Sequence, residues 1–527
     1  MKIKYAIVII LLLLQPLLAH TLLWHEEYSG NGGGNARIQD ATIDNNLNVY
    51  VTGLTNWMYG GDRITTFKYD KNGDSVWCNT HNVSGDNDCG KSICVDGTGD
   101  VYVAGYATVG LHFQLVVIKY DGENGAIVWA TILDQYQSRR DYKIAVDNDS
   151  GVYVATQHLS DCWLLKFHKE DGRGIWDRLY PAGNSVDWCD MALDDQGYIY
   201  VGGTVEGYVG GESREWFCVA QYDCVYGDQY YAKQYGQNTE TGCDAIDIDN
   251  AGNVYVGGTS RIGGQQHMTI FKCDTVGDSL WQYHYTSGSG WPEDIEVYRP
   301  TGESYITGRV YRNGVPNVLT IAVDDSGNAL WCEEFGGSSG DAGKELAVTH
   351  DCVYVSGYTT ADNSDILTLC YARNTNYLFW ADTFDYGDAD ESYNVAVKTT
   401  KGYAYIVSAG YKSAPSEWAT LMYRHRELSM WPPYGNGASF FYAQLYPIYP
   451  NPTKDVIKIR FNSPDEHEIT IKLYDVVGRF VNNLFEGKAR IGMNEISWEP
   501  KNLPNGIYFV RLEIADYQVT EKVIYQK

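Results

Sequence analysis

Two short stretches of this 527-residue chain have residue types that could do chemistry. Gly336-Gly-Ser-Ser-Gly340 matches Gly-x-Ser-x-Gly, which in a hydrolase sets a nucleophilic Ser on a strand-to-helix turn. No helical pattern follows it, and parallel loops read Ser287-Gly-Ser-Gly290 and Ser29-Gly-Asn-Gly32, so it reads as punctuation between strands. Asp147-Asn-Asp-Ser-Gly151 opens with the spacing that lets alternate carboxylates meet on Ca²⁺, but it lacks a later bidentate Glu. Asp and Asn also serve such turns through their own backbone hydrogen bonds, and that structural use is the expectation. The eleven His show no His-Glu-x-x-His or His-x-His, so no zinc site is indicated. Acidic residues are so numerous that no glycosidase-like carboxylate pair stands out. No catalytic, cofactor-binding or metal residue is assigned.

The elements carrying these stretches are repeats. Asp249-Asn-Ala-Gly-Asn-Val-Tyr-Val-Gly-Gly258 recurs eight times, its Tyr falling at Tyr50, Tyr102, Tyr153, Tyr200, Tyr255, Tyr305, Tyr354 and Tyr405. A period near 50 with strand-like content predicts propeller blades. Each unit has four short apolar runs. Ile246-Asp-Ile-Asp249 exemplifies the first, and an Asp/Gly turn leads to the Val-Tyr-Val strand. A Lys-Tyr-Asp-like run follows, as in Phe67-Lys-Tyr-Asp70, degenerating to Leu421-Met-Tyr423 in the last unit. The fourth run carries Trp77, Trp129, Trp176, Trp281, Trp331 or Trp380, with Tyr231 standing in once. A large aromatic at one place in every sheet suits the wedge between blades.

The Asp-x-x-Gly-Asn-Val-Tyr-Val-x-Gly hairpins, and the run Gly-Ser-Ser-Gly-Asp-Ala-Gly-Lys-Glu-Leu-Ala-Val from Gly337, resemble the bacterial β-propeller repeats abbreviated SBBP. Turn-plus-Trp segments such as Lys119-Tyr-Asp-Gly-Glu-Asn-Gly-Ala-Ile-Val-Trp129 resemble the tryptophan-docking repeats of quinoprotein-type eight-bladed propellers. The Asp-x-x-Gly-x-x-x-Trp turns are similar to the Asp boxes of sialidase propellers at a different spacing. A quinoprotein dehydrogenase would need a buried cofactor site with a metal and commonly an adjacent Cys pair, and this sequence has no such pair. The fold signal covers roughly residues 22 to 425. Propellers host unrelated activities, so it does not name one.

Residues 1–19 read as a signal peptide, with Lys2 and Lys4, an apolar Ala6 to Leu14 and a cleavage site at Leu17-Leu-Ala19. The apolar stretch is too short to span a bilayer, and no later segment is apolar enough. With 40 basic against 67 acidic residues the net charge is −27, which opposes nucleic acid as a partner. Twelve Cys in a secreted chain raise disulfides, but several sit within strands where a small apolar residue would serve.

The expected fold is all-β: a signal peptide at 1–19, an eight-bladed β-propeller at 20–430, a linker at 431–445 and a small Ig-like β-sandwich at 446–527. The ring is expected to close through Leu22-Leu-Trp-His-Glu-Glu-Tyr28, since Trp431-Pro-Pro433 lacks two backbone donors. The last module is marked by Tyr449, Pro450, Asn451, Pro452, Gly478, Gly506 and Tyr508, and it resembles the type A C-terminal sorting domain of the type IX (Por) secretion system. That resemblance implies the secretion machinery as partner and an extracellular or outer-membrane-surface location. The working part is read as a non-enzymatic binding or adhesion module for a glycan or protein. The alternative is a glycan hydrolase or quinoprotein-like oxidoreductase with carboxylates and Arg gathered at the channel mouth.

Overall fold

Every described element of the computed structural model is a strand. The structure describes residues 20–526 except 30–35, 57–60, 85–86, 111, 134–141, 148–150, 159–160, 181–184, 210–211, 237–240, 337–339, 361–363, 385–389, 414–415, 427–443, 446–456, 464–467, 491, 501–502 and 515–516. Eight four-stranded antiparallel sheets are formed, and they are the blades of a propeller. Blade 1 is residues 36–81, blade 2 88–133, blade 3 142–180, blade 4 185–235, blade 5 241–284, blade 6 290–335 and blade 7 341–384. Blade 8 joins three strands within 390–426 to His20–Tyr28, which pairs antiparallel with Ser416–Arg426 at the outer edge. The N-terminal closure expected from sequence is therefore present, and Trp431 lies outside the described residues. First strands of neighbouring blades adjoin one another, so they line the channel.

The recurrent Asp is explained by the hairpin it builds. Asp96 Oδ1 accepts from the backbone N–H of Thr98 at 2.9 Å and Asp100 at 3.0 Å, and its Oδ2 accepts the Tyr102 hydroxyl at 3.0 Å. Asp44 does the same for Tyr50, Asp194 for Tyr200 and Asp249 for Tyr255. The Tyr ring fills the blade core, and a buried phenol without an acceptor would cost about 1–3 kcal/mol. Asp and Tyr six residues apart are thus one device.

The blades are held to each other by a docked aromatic. Trp77 of blade 1 lies on Gly125 of blade 2, Trp129 on Gly172, Trp176 on Gly227, Tyr231 on Gly277 and Trp281 on Gly327. Trp24, at the chain start, lies on Gly73 of blade 1. Each of these glycines has positive φ, and a Cβ on any of them would sit 2.4–2.9 Å from the ring. Most of the indoles also donate to a carbonyl of the same turn, as Trp77 does to Gly122 at 3.2 Å and Trp331 to Arg373 at 2.8 Å. Burying one such ring removes about 150–250 Å² from water, roughly 4–6 kcal/mol at about 25 cal/mol/Å².

The last dock differs. Blade 8 has no covalent turn between its third and fourth strands, because the fourth is the chain's beginning. Trp380 donates there to His425 Nδ1 at 2.8 Å, with His20 stacked on the indole at 4.3 Å. Register corrects the sequence reading of this repeat. Tyr405 pairs with Arg424 as Tyr50 pairs with Lys68, so Arg424-His425-Arg426 takes the Lys-Tyr-Asp place, two residues beyond Tyr423.

Residues 432–527 form a separate compact unit. One sheet contains Gln444–Leu445, Ile457–Ser463 and Gly492–Trp498, and the other Phe480–Lys488, Glu468–Asp475, Gly506–Ile514 and Tyr517–Tyr525. Ile457, Ile459 and Phe461 of the first share one core with Ile469, Ile471, Leu473, Val510 and Leu512 of the second. Gln444 and Leu445 pair with Asn462 and Phe461, so this sheet reaches two residues into the segment read as linker.

Two stability outcomes follow from the docks. Gly125→Ala and Gly110→Ala both place Ala at positive φ, yet a Cβ meets Trp77 at 2.6 Å in the first and nothing within 4 Å in the second. Chemical denaturation should show Gly110→Ala costing about 1 kcal/mol and Gly125→Ala about 1–3 kcal/mol more. Equal losses would mean that the dock carries no steric demand. Removing residues 20–28 strips blade 8 of its outer strand and Gly73 of its indole, and should lower the melting temperature sharply; an unchanged melt would assign closure to another segment.

Candidate functional site

The first strands of seven blades carry a β-bulge at one phase, as at Gln39 between Ile38 and Asp40, Lys91 between Gly90 and Ser92, and Asp244 between Cys243 and Ala245. Glu293, Lys344 and the positions before Asp190 and Asn394 repeat it. A bulge breaks the alternation of faces, so two successive residues can present to the channel. The result is a cavity of about 200 Å³ lined by residues of seven blades, among them Asp40, Lys143, Asp244, Glu293, Lys344 and Glu345.

Much of this acidic ring is engaged in joining blades. Asp40 of blade 1 accepts from the Ile93 N–H of blade 2 at 2.8 Å, and Ser92 Oγ accepts from the Ile144 N–H of blade 3 at 3.3 Å. Asp190 takes the Ile246 N–H at 3.2 Å, Asp247 that of Val297 at 2.8 Å, Asp294 that of Leu346 at 2.8 Å and Glu345 that of Val395 at 3.2 Å. Asn394 of blade 8 donates to Asp40 at 2.7 Å and shuts the circle. First strands are sheet edges, and a neighbour's carboxylate satisfies an edge N–H that strand pairing leaves open.

Lys143 stands among these carboxylates, 3.2 Å from Asp190, whose charge above all raises the Lys143 pKa, with Glu345, Asp294 and Asp40 adding to it. Burial pushes the carboxyls of Asp40, Asp247, Asp294, Glu296 and Glu345 up. Asp244 opens to the channel, yet the surrounding protein desolvates it, and with Glu293 nearby it is raised to about 8. Glu293 is paired with Lys344 at 3.0 Å. Asp244, which accepts none of these amides, is thus a cavity-lining residue that could hold a transferable proton near neutral pH, with Glu293 its candidate base.

A second cluster lies between blades 7 and 8. Cys352, Cys370 and His425 are buried, with ligand atoms within 4.8 Å of one another, a soft-metal set by composition. The Trp380 N–H can only donate, so His425 Nδ1 is the acceptor and the ring proton sits on Nε2, 3.7 Å from Cys352 Sγ. Burial pushes His425 down to about 4, leaving a neutral ring with both nitrogens committed. Ligation would require an imidazolate, so the geometry favours a structural dock over a metal centre.

Other residues singled out from sequence do not meet at either place. Ser338 and positions 148–150 lie outside the described residues. Asp147 accepts from Gly151 N at 2.8 Å and the Tyr153 hydroxyl at 2.7 Å, the hairpin role. Tyr449, Pro450, Asn451 and Pro452 are also outside. Gly478 sits at φ 79 in a turn whose Asp475 accepts from Val477 N and Arg479 N, Gly506 begins a strand, and Tyr508 is buried with its hydroxyl on Pro504 O at 2.8 Å. Eight of the described cysteines are buried. Sequence reasoning passed over the channel residues. Their signal is a polar side chain one or two places before the apolar residue of each first strand (Ile93, Ile144, Ile246 or Ile295 in four blades), a place where the repeat keeps no fixed residue.

The raised carboxyl gives a pH outcome. Asp244 goes from an ordinary 3.8 to about 8 on folding, so its stabilising contribution is complete below the ordinary value and is lost as pH rises through the folded one. Asp244→Asn cannot lose a proton. Its melting temperature relative to the parent chain should therefore climb between about pH 4 and about pH 8 and level off above. A constant offset would show that Asp244 is not proton-bearing there.

Residues 447–526 match the family described as Secretion system C-terminal sorting domain. No curated protein sequence matches significantly. Among solved structures, a quinohemoprotein alcohol dehydrogenase from Comamonas testosteroni is similar at TM-score 0.50 and 12% identity, covering 81% of this chain and 79% of that one. A europium-containing methanol dehydrogenase is similar at TM-score 0.53 and 10% identity, covering 78% and 94%. At such identities the likeness is one of fold. The chain thus joins an eight-bladed β-propeller of quinoprotein-like architecture to a C-terminal segment that matches secretion system sorting domains.

Proposed function

We propose that this is an exported β-propeller that works by binding, carried to the cell surface or beyond by its C-terminal module. The observation that carries the binding reading is the use of the channel carboxylates: Asp40, Asp190, Asp247, Asp294 and Glu345 each hold a backbone amide of the next blade. A catalytic carboxylate needs its oxygens for substrate and proton, and these are spent on the ring. The channel cavity is also lined by an ammonium group, Lys143, with which a quinone-linked metal would need to compete. With no adjacent Cys pair either, the channel does not fit a quinone and metal, and no redox step is derived.

The second reading, a hydrolase, rests on Asp244 and Glu293 alone. The two readings separate on the mature full chain. Incubation with glycans should give saturable binding without products. Turnover that disappears in Asp244→Asn would overturn the binding reading.

For export, we take residues 1–19 as a removable leader and 446–527 as the module that meets the secretion machinery. Tyr449, Pro450, Asn451 and Pro452 with Gly478, Gly506 and Tyr508 are its proposed motif. A chain ending at residue 435 should fold and remain inside the outer membrane of the producing cell; its appearance outside would remove the sorting role.

A further inference from the structure

One contact recurs in four blades and is replaced elsewhere, by Gln221 in blade 4, Ala322 in blade 6 and Cys370 in blade 7. In blades 1, 2, 3 and 5 the second-strand Tyr faces a third-strand Lys, whose ammonium lies over the ring: Lys68 over Tyr50 at 5.3 Å, Lys119 over Tyr102 at 5.4 Å, Lys166 over Tyr153 at 5.1 Å and Lys272 over Tyr255 at 4.6 Å. Three of these reach the next blade's turn, Lys68 to Gly122 O at 2.5 Å, Lys166 to Cys224 O at 2.7 Å and Lys272 to the Asp325 carboxylate. Blade 4 has Gln221 at this register, opposite Tyr200. Its side chain is one atom shorter and uncharged, and it bonds the Tyr200 hydroxyl at 2.9 Å. Thr275, the counterpart of Gly122 and Cys224 in blade 5, is left facing a cavity of about 270 Å³.

Two more departures border the same cavity. Tyr198 stands where other blades have Asn48, Asp100 or Asn253. Tyr230 stands where others expose Val76, Val128, Ile175, Leu280 or Leu330, and it is 62% exposed. The rings of Tyr198 and Tyr230 meet edge-to-face at 5.2 Å and 87°, forming an aromatic corner.

We propose that this groove between blades 4 and 5 is a binding site for one ring of a neutral saccharide. It rests on the binding-module reading and gives it a ligand class and a place. No Lys or Arg lines the cavity, which leaves nothing to hold a phosphate or carboxylate. Its one carboxylate, Asp194, accepts from Gln196 N at 2.9 Å, Tyr198 N at 2.8 Å and the Tyr200 hydroxyl at 3.1 Å, so it is not a bare anion awaiting a metal. What remains is a flat apolar surface beside neutral amide and hydroxyl groups. A sugar ring has that pair of faces, C–H on one side and hydroxyls at its rim. The volume lies just under the range of about 300–1,000 Å³ usual for drug-sized ligands, and suits a single ring with the rest of a chain outside.

The test is calorimetric titration of the mature full chain with cellohexaose, maltohexaose, xylohexaose and mannohexaose, repeated on Tyr230→Ala and Gln221→Lys. Tyr230 is exposed and Lys is the repeat's own residue at position 221, so both variants should melt with the parent. At least one hexaose should bind, and each variant should weaken it about tenfold or more. If none binds, or if both variants bind as the parent does, the site is wrong. The second result leaves the binding-module reading standing with its site elsewhere, whereas sugar turnover lost in Asp244→Asn overturns that reading itself. Binding of tetramethylammonium that depends on Tyr230, without any hexaose, would overturn the saccharide assignment in favour of a cation.

Discussion

An indole laid on a glycine of the neighbouring blade is the contact on which the ring depends. At six junctions it uses a residue without Cβ at positive φ, at the blade 6–7 junction Asn376 at φ 56 stands in that place, and in most docks a carbonyl is aimed at the indole nitrogen. Each requirement is local to one turn, yet the contact joins residues about 45 apart in the chain. Repeated around the ring, it makes every blade both the dock and the docked. Where the repeat supplies no turn, at the junction of blades 7 and 8, a neutral buried His425 takes the carbonyl's part and His20 covers the indole. That substitution accounts for a cluster whose composition alone suggests a soft-metal site.

At the centre the problem is different. First strands are edges, and eight edges facing one channel leave backbone donors without strand partners. Carboxylates and hydroxyls of the preceding blade meet at least six of these donors, which crowds acidic groups around a narrow space. Lys143 and proton uptake relieve the crowding. An acidic channel is therefore a consequence of closing a ring of edges, and it is weak support for catalysis. The places to look for function are those where the repeat departs from its own rule at no cost to the ring, as blade 4 does at Tyr198, Gln221 and Tyr230.

The C-terminal unit reuses one of the propeller's turns, with Asp475 accepting two backbone donors ahead of Gly478 at positive φ. Otherwise it has its own core, built from residues within 457–525.

The sequence by itself determined the repeat phase, the count of eight, the hairpin at each Asp and the strand from Leu22 to Tyr28 that completes the last blade. These are carried by period-two alternation and turn chemistry, which act within a few residues and so can be read along the chain. It misplaced the last Lys-Tyr-Asp counterpart by two residues, because only strand pairing shows that Arg424, and not Met422, lies opposite Tyr405. Tertiary structure alone decided what converges. Asp40 meets Ile93 and Asn394 because the ring turns through eight blades, and Gln221 borders a groove because it bonds Tyr200 of its own blade while Thr275 of the next blade faces the cavity. Such contacts are fixed by blade angle and closure, to which residues some 50 and 350 positions apart contribute, and no local pattern encodes them.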